Sequence, residues 1–158
     1  MQRVRLYPTV AQMKRLEFML HITRHLYNAA LQERGDAWKM RGVSVNFKQQ
    51  YAELTELRRE ELGIATVYRE CQDAVLHRLD LAMTAFFRRL KRGETPGYPR
   101  YRSAARWKQL EFPHGDRALK LDVRQKRVRV PGVGTIGLRK GRSIPEFGRA
   151  FVVEKNGR

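Results

Sequence analysis

One segment of the sequence combines many cations with flat aromatic side chains. Between Arg88 and Lys108 the chain carries eight positive side chains against one negative side chain, Glu94. Cations hold phosphates and aromatic rings stack on exposed bases, a combination typical of surfaces that bind RNA or single strands. The binding residues that this segment predicts are Arg88, Arg89, Lys91, Arg92, Tyr98, Arg100, Tyr101, Arg102, Arg106, Trp107 and Lys108. The alternative is that the rings pack into the protein and the cations are merely solvated.

The charge of the whole chain favours a polyanionic partner. The sequence has 33 Lys and Arg against 16 Asp and Glu, a net charge of +17. Such an excess repels itself in a compact protein, so an anionic partner is the usual reason to keep it. A second run of cations, offset only by Asp122, comprises Arg117, Lys120, Arg124, Lys126, Arg127, Arg129, Arg139, Lys140 and Arg142.

An anionic membrane is the rival partner, and the sequence does not favour it. No stretch approaches the roughly 20 apolar residues that span a bilayer. The opening residues 1–8 do not have the pattern of a signal peptide. Cys71 is the only cysteine, so an intrachain disulfide is excluded. We therefore expect a cytoplasmic protein without a membrane partner, while the oligomeric state stays open.

The residue types used for catalysis and metal binding do not form a recognisable pattern. His21 and His25 have helical i, i+4 spacing, but no further ligand accompanies them, so we expect packed or solvated rings. Cys71 is expected to be a packed thiol. A two-metal nuclease needs clustered carboxylates, and the acids of the second half are scattered. We expect no catalytic site, metal or cofactor in this chain.

Residues 9–92 contain no proline and read as helices. Thr9 is a plausible N-cap for a first helix that ends near Gly42, with a break expected near Thr23. A second helix is predicted from Phe47 to before Gly63, and the third from about Thr66 to Lys91. The predicted buried face of this third helix comprises Val75, Leu79, Ala82, Met83, Phe86, Phe87 and Leu90. The mixed charges at 53–61 are interpreted as a solvated helix face.

Residues 93–158 contain five of the six prolines and nine of the twelve glycines, and read as short strands. Strands are predicted near 119–123, 128–130, 135–138 and 151–153, and alternation gives several of them a cationic face. A further strand is predicted at 3–7. The predicted fold class is α+β: a small helical bundle inserted into a short, partly closed antiparallel β-barrel.

The end of the sequence predicts an incomplete sheet. Asn156-Gly157 is a strong signal for a tight hairpin turn, but no partner strand follows it. An unpaired strand leaves an open sheet edge. We therefore expect the barrel to be truncated at the C-terminus.

Several segments resemble the transposon-encoded TnpB proteins of the OrfB family, relatives of the type V CRISPR nucleases. The start at 5–9 followed by Gln12 is similar to theirs, and residues 27–31 resemble their "YNxAL" element. Residues 54–57 resemble "LTxL", residues 79–89 resemble "LDxAFxxFF", residues 97–103 resemble "GxPxFKS", and residues 133–136 resemble "lGxv". Each motif is weak alone, whereas six in order across nearly the whole chain are specific.

The resemblance implies an architecture and a role. Residues 1–8 would be the first strand of a wedge barrel, residues 9–92 a helix-turn-helix recognition domain, and residues 93–158 the rest of the basic barrel. In this family these parts hold a guide RNA and read a short motif beside the target DNA. Cleavage belongs to a later RuvC-like domain that this sequence does not contain.

The resemblance also points to residues that would read the flanking DNA. They are Arg69 and Gln72 near Val75 and Leu76, with Phe47 or Lys48 from the preceding helix. Gln72 could make a bidentate contact with adenine in a major groove. The alternative is an ordinary glutamine on a helix surface.

Three hypotheses remain at this point. The first is the nucleic-acid-binding N-terminal part of a TnpB-like RNA-guided DNA endonuclease, with guide RNA and DNA as partners. The second is a standalone DNA-binding regulator from the same family that lacks the nuclease. The third is a general RNA-binding protein unrelated to transposition.

Overall fold

Helices occupy most of the first ninety residues and short strands most of the rest. A computed structural model describes residues 2–139 and 143–155. The predicted hairpin turn at Asn156-Gly157 and the cations Lys140 and Arg142 lie outside the described residues. The helices are α1 (Val10–Arg41), α2 (Phe47–Glu60), α3 (Leu62–Ala65), α4 (Arg69–Lys91) and α5 (Gly115–Ala118). The strands are β1 (Leu6–Tyr7), β2 (Gln109–Phe112), β3 (Lys120–Asp122), β4 (Arg127–Val130), β5 (Gly134–Leu138) and β6 (Ala150–Val153).

Helix α1 begins and ends as the sequence predicts. The Thr9 hydroxyl accepts from the backbone N–H of Gln12, and the Gln12 side chain accepts from the backbone N–H of Thr9, forming a capping box. At the other end Gly42 has φ +62°, a left-handed conformation that glycine adopts without strain.

The predicted break in α1 near Thr23 is wrong, because the helix runs without interruption for 32 residues. At about 1.5 Å per residue it is roughly 48 Å long. The Thr23 hydroxyl donates to the carbonyl oxygen of Met19 at 2.8 Å, so its polar group is satisfied inside the helix. The helix also has packing partners along its length: Leu16 belongs to the core under the sheets, and Leu31 to a second core among the helices.

Helix α4 starts later than predicted, at Arg69, because the short helix α3 precedes it. Val75, Leu79 and Met83 are buried, as the helical spacing predicts. Phe87 and Leu90 were also predicted to be buried, but they are 50% and 45% exposed. Met83 is the last buried residue of α4, so the apolar stripe continues beyond the end of the core that it packs against.

The strands form two antiparallel sheets, with order β1-β5-β4-β3 in one and β2-β6 in the other. The fold class is therefore α+β, as predicted. The described strands do not close into a barrel, so the predicted barrel is not confirmed. Strands β3 to β6 lie at or near their predicted positions, and Gly132 and Gly134 make the predicted turn with φ of +75° and +108°.

Strand β1 pairs with β5, with Leu6 opposite Leu138 and Tyr7 opposite Gly137. One sheet therefore contains strands from both sides of the long helical segment. The domain boundaries near residues 8 and 92 stay a prediction. The sheets rest on the first core, where Phe112 and Ile136 are fully buried beside Met19 of α1.

Candidate nucleic-acid interface

One face of the four-stranded sheet is cationic. In β4, Arg127 and Arg129 are exposed while Val128 and Val130 are buried, as alternation along a strand requires. The antiparallel register sets Lys120 of β3 directly opposite Arg129. Asp122 lies opposite Arg127 and is the acidic residue on this face. We call this the sheet face; its cations lie close enough for one phosphate backbone to cross several of them.

The sheet face continues onto β1, where it gains an aromatic ring. Tyr7 is 52% exposed, and the guanidinium carbon of Arg5 lies 5.5 Å from its ring centroid. Gly137 lies opposite Tyr7 and has no side chain that could cover the ring. Arg139 lies just beyond, where its backbone N–H donates to the carbonyl oxygen of Arg5 at 3.0 Å. Sequence reasoning missed Tyr7, although alternation at residues 3–7 sets Arg5 and Tyr7 on one face.

The second cationic surface consists of the C-terminal end of α4 and the loop that follows it. We define residues 93–108 as the basic loop. Tyr101 is 62% exposed and Tyr98 44% exposed. Tyr98 also packs edge-on against Phe86 at 5.3 Å between ring centroids, and its partial burial raises the pKa of its hydroxyl. Arg89 forms an ion pair with Glu94 at 2.7 Å. The remaining predicted cations of this surface that are exposed are Arg88, Lys91, Arg92, Arg100, Arg102 and Arg106.

Trp107 does not lie on this surface, so the prediction that it stacks on bases is wrong. It is 5% exposed, and its ring belongs to the core among the helices. Its indole N–H donates to the Thr23 hydroxyl at 3.0 Å, and its ring lies 5.4 Å from that of Tyr27. Lys108 is partly buried and pairs with Glu154 at 3.0 Å. Trp107 therefore attaches the basic loop to α1.

A second residue of α1 fixes the backbone of the basic loop. The Asn28 side-chain N–H donates to the carbonyl oxygen of Arg102 at 3.0 Å, and the backbone N–H of Arg102 donates back to the Asn28 side-chain oxygen at 2.8 Å. The Arg102 guanidinium carbon also lies 5.8 Å from the Tyr27 ring centroid. The sequence did not indicate these roles of Thr23, Tyr27 and Asn28, because they depend on the packing of the basic loop against α1.

Gln72 is not a surface residue, which makes the predicted base contact wrong. It is fully buried between α4 and the α2–α3 region. Its side-chain oxygen accepts from Arg58, and its side-chain N–H donates to the carbonyl oxygen of Ile64 at 3.1 Å. Arg58 also donates to the carbonyl oxygen of Val67 at 2.7 Å, so it is not the freely solvated cation that the charge pattern indicated. Gln72 and Arg58 hold the connection between α2 and α4.

The burial of Gln72 should make its side chain important for stability. We expect Gln72→Ala to lower the free energy of unfolding by about 2 kcal/mol, because it leaves buried polar groups without partners. Gln125→Ala is the matched control, since Gln125 is exposed and should change stability by less than about 0.5 kcal/mol. Urea denaturation measures both changes. A Gln72→Ala protein of full stability with altered DNA sequence preference would contradict the assignment.

Arg69 is held by neighbours that the sequence did not single out. Its guanidinium donates to Asp73 at 2.7 Å, to the Thr55 hydroxyl at 3.1 Å and to the carbonyl oxygen of Tyr51 at 3.2 Å. Its carbon lies 4.4 Å from the Tyr51 ring centroid. Burial raises the pKa of Asp73, and the hydrogen bond and charge of Arg69 oppose that shift. With three of five guanidinium N–H groups used, Arg69 keeps two donors for a ligand.

The other two predicted residues lie at the start of α2. Lys48 is exposed, whereas Phe47 is half-buried and packs against the helical core. The Phe47 ring lies 6.0 Å from Tyr51 and 6.0 Å from His77 between centroids. The structure thus brings Phe47 and Arg69 to the same neighbour, Tyr51, whereas Gln72 is buried against Arg58 and Ile64.

The histidine pair and the thiol have ordinary surroundings. The rings of His21 and His25 lie 4.2 Å apart, and burial lowers the pKa of His25, helped by the nearby His21 and Arg24. Burial raises the pKa of Cys71. Among residues 2–139 and 143–155, no three His, Cys, Asp or Glu side chains are grouped as metal ligands would be. Within the same residues, every helix is too short or too polar to cross a bilayer.

Comparison with known families identifies one part of the chain. Residues 2–42 match the family of helix-turn-helix domains of IS605 OrfB proteins, which confirms the resemblance over that segment. Helix-turn-helix domains are DNA-binding modules, so the match indicates DNA binding. The matched segment contains β1 and α1, and it ends at Gly42, before α2 begins. No curated protein matches the sequence.

Proposed function

We propose that the chain binds a guide RNA and the DNA beside its target, as the nucleic-acid-binding part of a TnpB-like RNA-guided endonuclease. The observation that carries the proposal is the row of exposed cations on the sheet face, next to a segment that matches a DNA-binding family. Arg129 faces Lys120, and like charges set side by side cost energy unless an anion joins them. A phosphate backbone supplies that anion.

Single-stranded segments of the guide suit the basic loop. Tyr101 has more than half of its surface exposed, and a base stacked on such a ring contributes about 1–3 kcal/mol whatever its identity. Arg100 and Arg106 are exposed on the same loop and can contact the flanking phosphates. The loop therefore offers stacking together with charge, which favours RNA strands over a closed duplex.

The duplex beside the target suits the start of α2. Residues 53–61, at the end of α2 and just after it, carry Glu53, Glu56, Glu60 and Glu61 against Arg58 and Arg59, and this net negative charge repels phosphates. Lys48 is exposed at the start of the helix, before these acidic residues. Arg69 reaches α2 at Tyr51 and Thr55 and keeps two unused donors. In this scheme base pairing with the guide reads most of the target, and the protein reads only a short flanking motif.

The guide-RNA part of the proposal is tested by comparing two RNAs of equal length. One is transcribed across an end of an IS605-type mobile element, and the other has the same composition in scrambled order. We expect the first to bind at least tenfold more tightly at 150 mM salt, measured by fluorescence anisotropy. Equal affinity for both RNAs would refute guide binding and favour a general RNA-binding protein.

The role of the sheet face has its own test. Arg129→Gln should lower affinity several-fold and reduce the slope of log K against log salt by about 0.7–0.9, the value for one lost phosphate contact. Arg59→Gln is the matched control, because Arg59 is exposed but paired with Glu56 at 2.8 Å on helix α2, away from the sheet face. The control should leave both quantities unchanged. The sheet face would be excluded if the two variants behaved alike.

A further inference from the structure

A cavity of about 300 Å³ lies between the middle of α4 and the basic loop. Its wall combines arginine and lysine side chains with the edge of the buried tryptophan. The lining residues are Arg78, Arg102, Arg106, Trp107, Lys108 and Gln109. This cavity differs from the sheet face in shape, because its cations surround a concave space instead of lying along a flat surface.

The cations of the cavity are only partly neutralised. Arg78 pairs with Glu111 at 3.1 Å, and Lys108 pairs with Glu154 at 3.0 Å. Arg102 and Arg106 form no ion pair with any described residue. The lining of the cavity thus includes two arginines that no described acidic residue neutralises, and guanidinium is the side chain best matched to the geometry of a phosphate.

The wall is also held in place before any ligand arrives. Asn28 fixes both backbone polar groups of Arg102. Thr23 accepts from the Trp107 indole, and the Arg78 guanidinium carbon lies 5.1 Å from the Trp107 ring centroid. A site whose groups are ordered in advance loses less entropy on binding, so it binds more tightly than mobile surface cations of equal charge.

We propose that this cavity is a seat for a single phosphate group of the bound nucleic acid, held by Arg102 and Arg106 with Arg78 and Lys108 behind them. The assignment rests on the proposed function, because the phosphate belongs to the nucleic acid that the chain is proposed to bind. One phosphate would enter the cavity, while the others contact the exposed cations of the surface. The phosphate is either a terminal monoester or an internal diester of a sharply turned strand. A terminal monoester carries more negative charge, whereas an internal diester is joined to a nucleotide on each side.

The sequence provides an optical probe for the cavity. Trp38 and Trp107 are the two tryptophans, and Trp38 is 66% exposed on α1. The Trp38→Phe protein therefore reports on Trp107 alone. We expect inorganic phosphate, added at constant ionic strength, to change Trp107 emission saturably, whereas chloride at the same ionic strength should not.

Two further substitutions locate the effect. Adding Arg106→Gln to this protein should weaken phosphate binding at least fivefold, while adding Arg129→Gln, on the sheet face, should not alter it. Circular dichroism and the melting temperature check that each variant is folded. Absence of a saturable emission change, or an equal effect of Arg106→Gln and Arg129→Gln, would overturn the assignment.

To identify the source of the phosphate, the affinities of strands with a 5′-phosphate, with a 3′-phosphate and with neither are compared. Tighter binding of one phosphorylated strand that disappears with Arg106→Gln identifies a terminal phosphate. Equal binding of all strands, each weakened by Arg106→Gln, identifies an internal one. If strands bind normally and Arg106→Gln has no effect on any of them, the cavity assignment fails while the proposed function stands. If no strand binds, the proposed function fails, whatever inorganic phosphate does at Trp107.

Discussion

Raising the salt concentration from 50 to 200 mM is expected to lower the affinity for a nucleic acid about 10³–10⁵-fold, if the two surfaces engage roughly six to ten phosphates. Each phosphate contact releases condensed counterions from the nucleic acid, and added salt opposes that release. The exposed cations able to make such contacts are Arg5, Lys120, Arg127, Arg129 and Arg139 on the sheet face and Arg88, Lys91, Arg92, Arg100, Arg102 and Arg106 around the basic loop.

Anisotropy titrations at several salt concentrations and fixed pH give the slope directly. A fall of less than about tenfold over this range would correspond to roughly two phosphate contacts. That result would leave most of the net charge of +17 without a role in binding. It would instead favour a protein that recognises bases while making few contacts to the phosphate backbone.

Arg34→Ala is expected to lower the free energy of unfolding by about 3 kcal/mol, the cost of breaking a largely buried ion pair from one side. The Arg34 side chain is 6% exposed and donates to Asp80 from two nitrogens, both at 3.1 Å. It also donates to Gln50 at 2.9 Å, and Gln50 in turn donates to the carbonyl oxygen of Ala30. The residue thus joins α1, α2 and α4, and its removal leaves Asp80 and Gln50 without their donor.

The matched control for this stability test is Arg59→Ala. The Arg59 and Glu56 side chains are 71% and 63% exposed, so the loss should be less than about 1 kcal/mol. Arg34→Lys should fall between the two, since it keeps the charge but not the planar fork. Chemical denaturation measures all three variants. Similar losses from Arg34→Ala and Arg59→Ala would show that the buried network does not hold the helices together.

Backbone elements followed from local signals in the sequence. Thr9 and Gly42 are a capping residue and a left-handed glycine, and each acts within its own few residues, so both ends of α1 could be predicted. The cationic side of β4 followed from alternation of arginine and valine. Strand β2 was missed because Gln109 and Glu111 are not typical strand residues, and its apolar positions Leu110 and Phe112 are only two.

The errors at the candidate site share a physical cause. Trp107 and Gln72 have side chains suited to binding bases, but residue type does not reveal exposure. Each is buried by contacts distant in the sequence: Trp107 by Thr23, and Gln72 by Arg58 and Ile64. Phe87 shows the opposite error, since it was predicted to be buried and is exposed. Helical spacing predicts which face of the helix a residue lies on, but not how far along the helix the neighbouring core extends.

The pairing of β1 with β5 has a consequence for the order in which the protein folds on the ribosome. Leu6 emerges early, but its partner Leu138 is synthesised only after all of α1 to α4. Bringing such distant residues together in an open chain is slow, because the entropy of closing the loop is lost before any contact is gained. Helix α1 shortens that search once formed, since Gln12 and Arg15 donate to the carbonyl oxygens of Thr135 and Gly132. The nascent helices should therefore be structured first, and the N-terminal strand joins its sheet last.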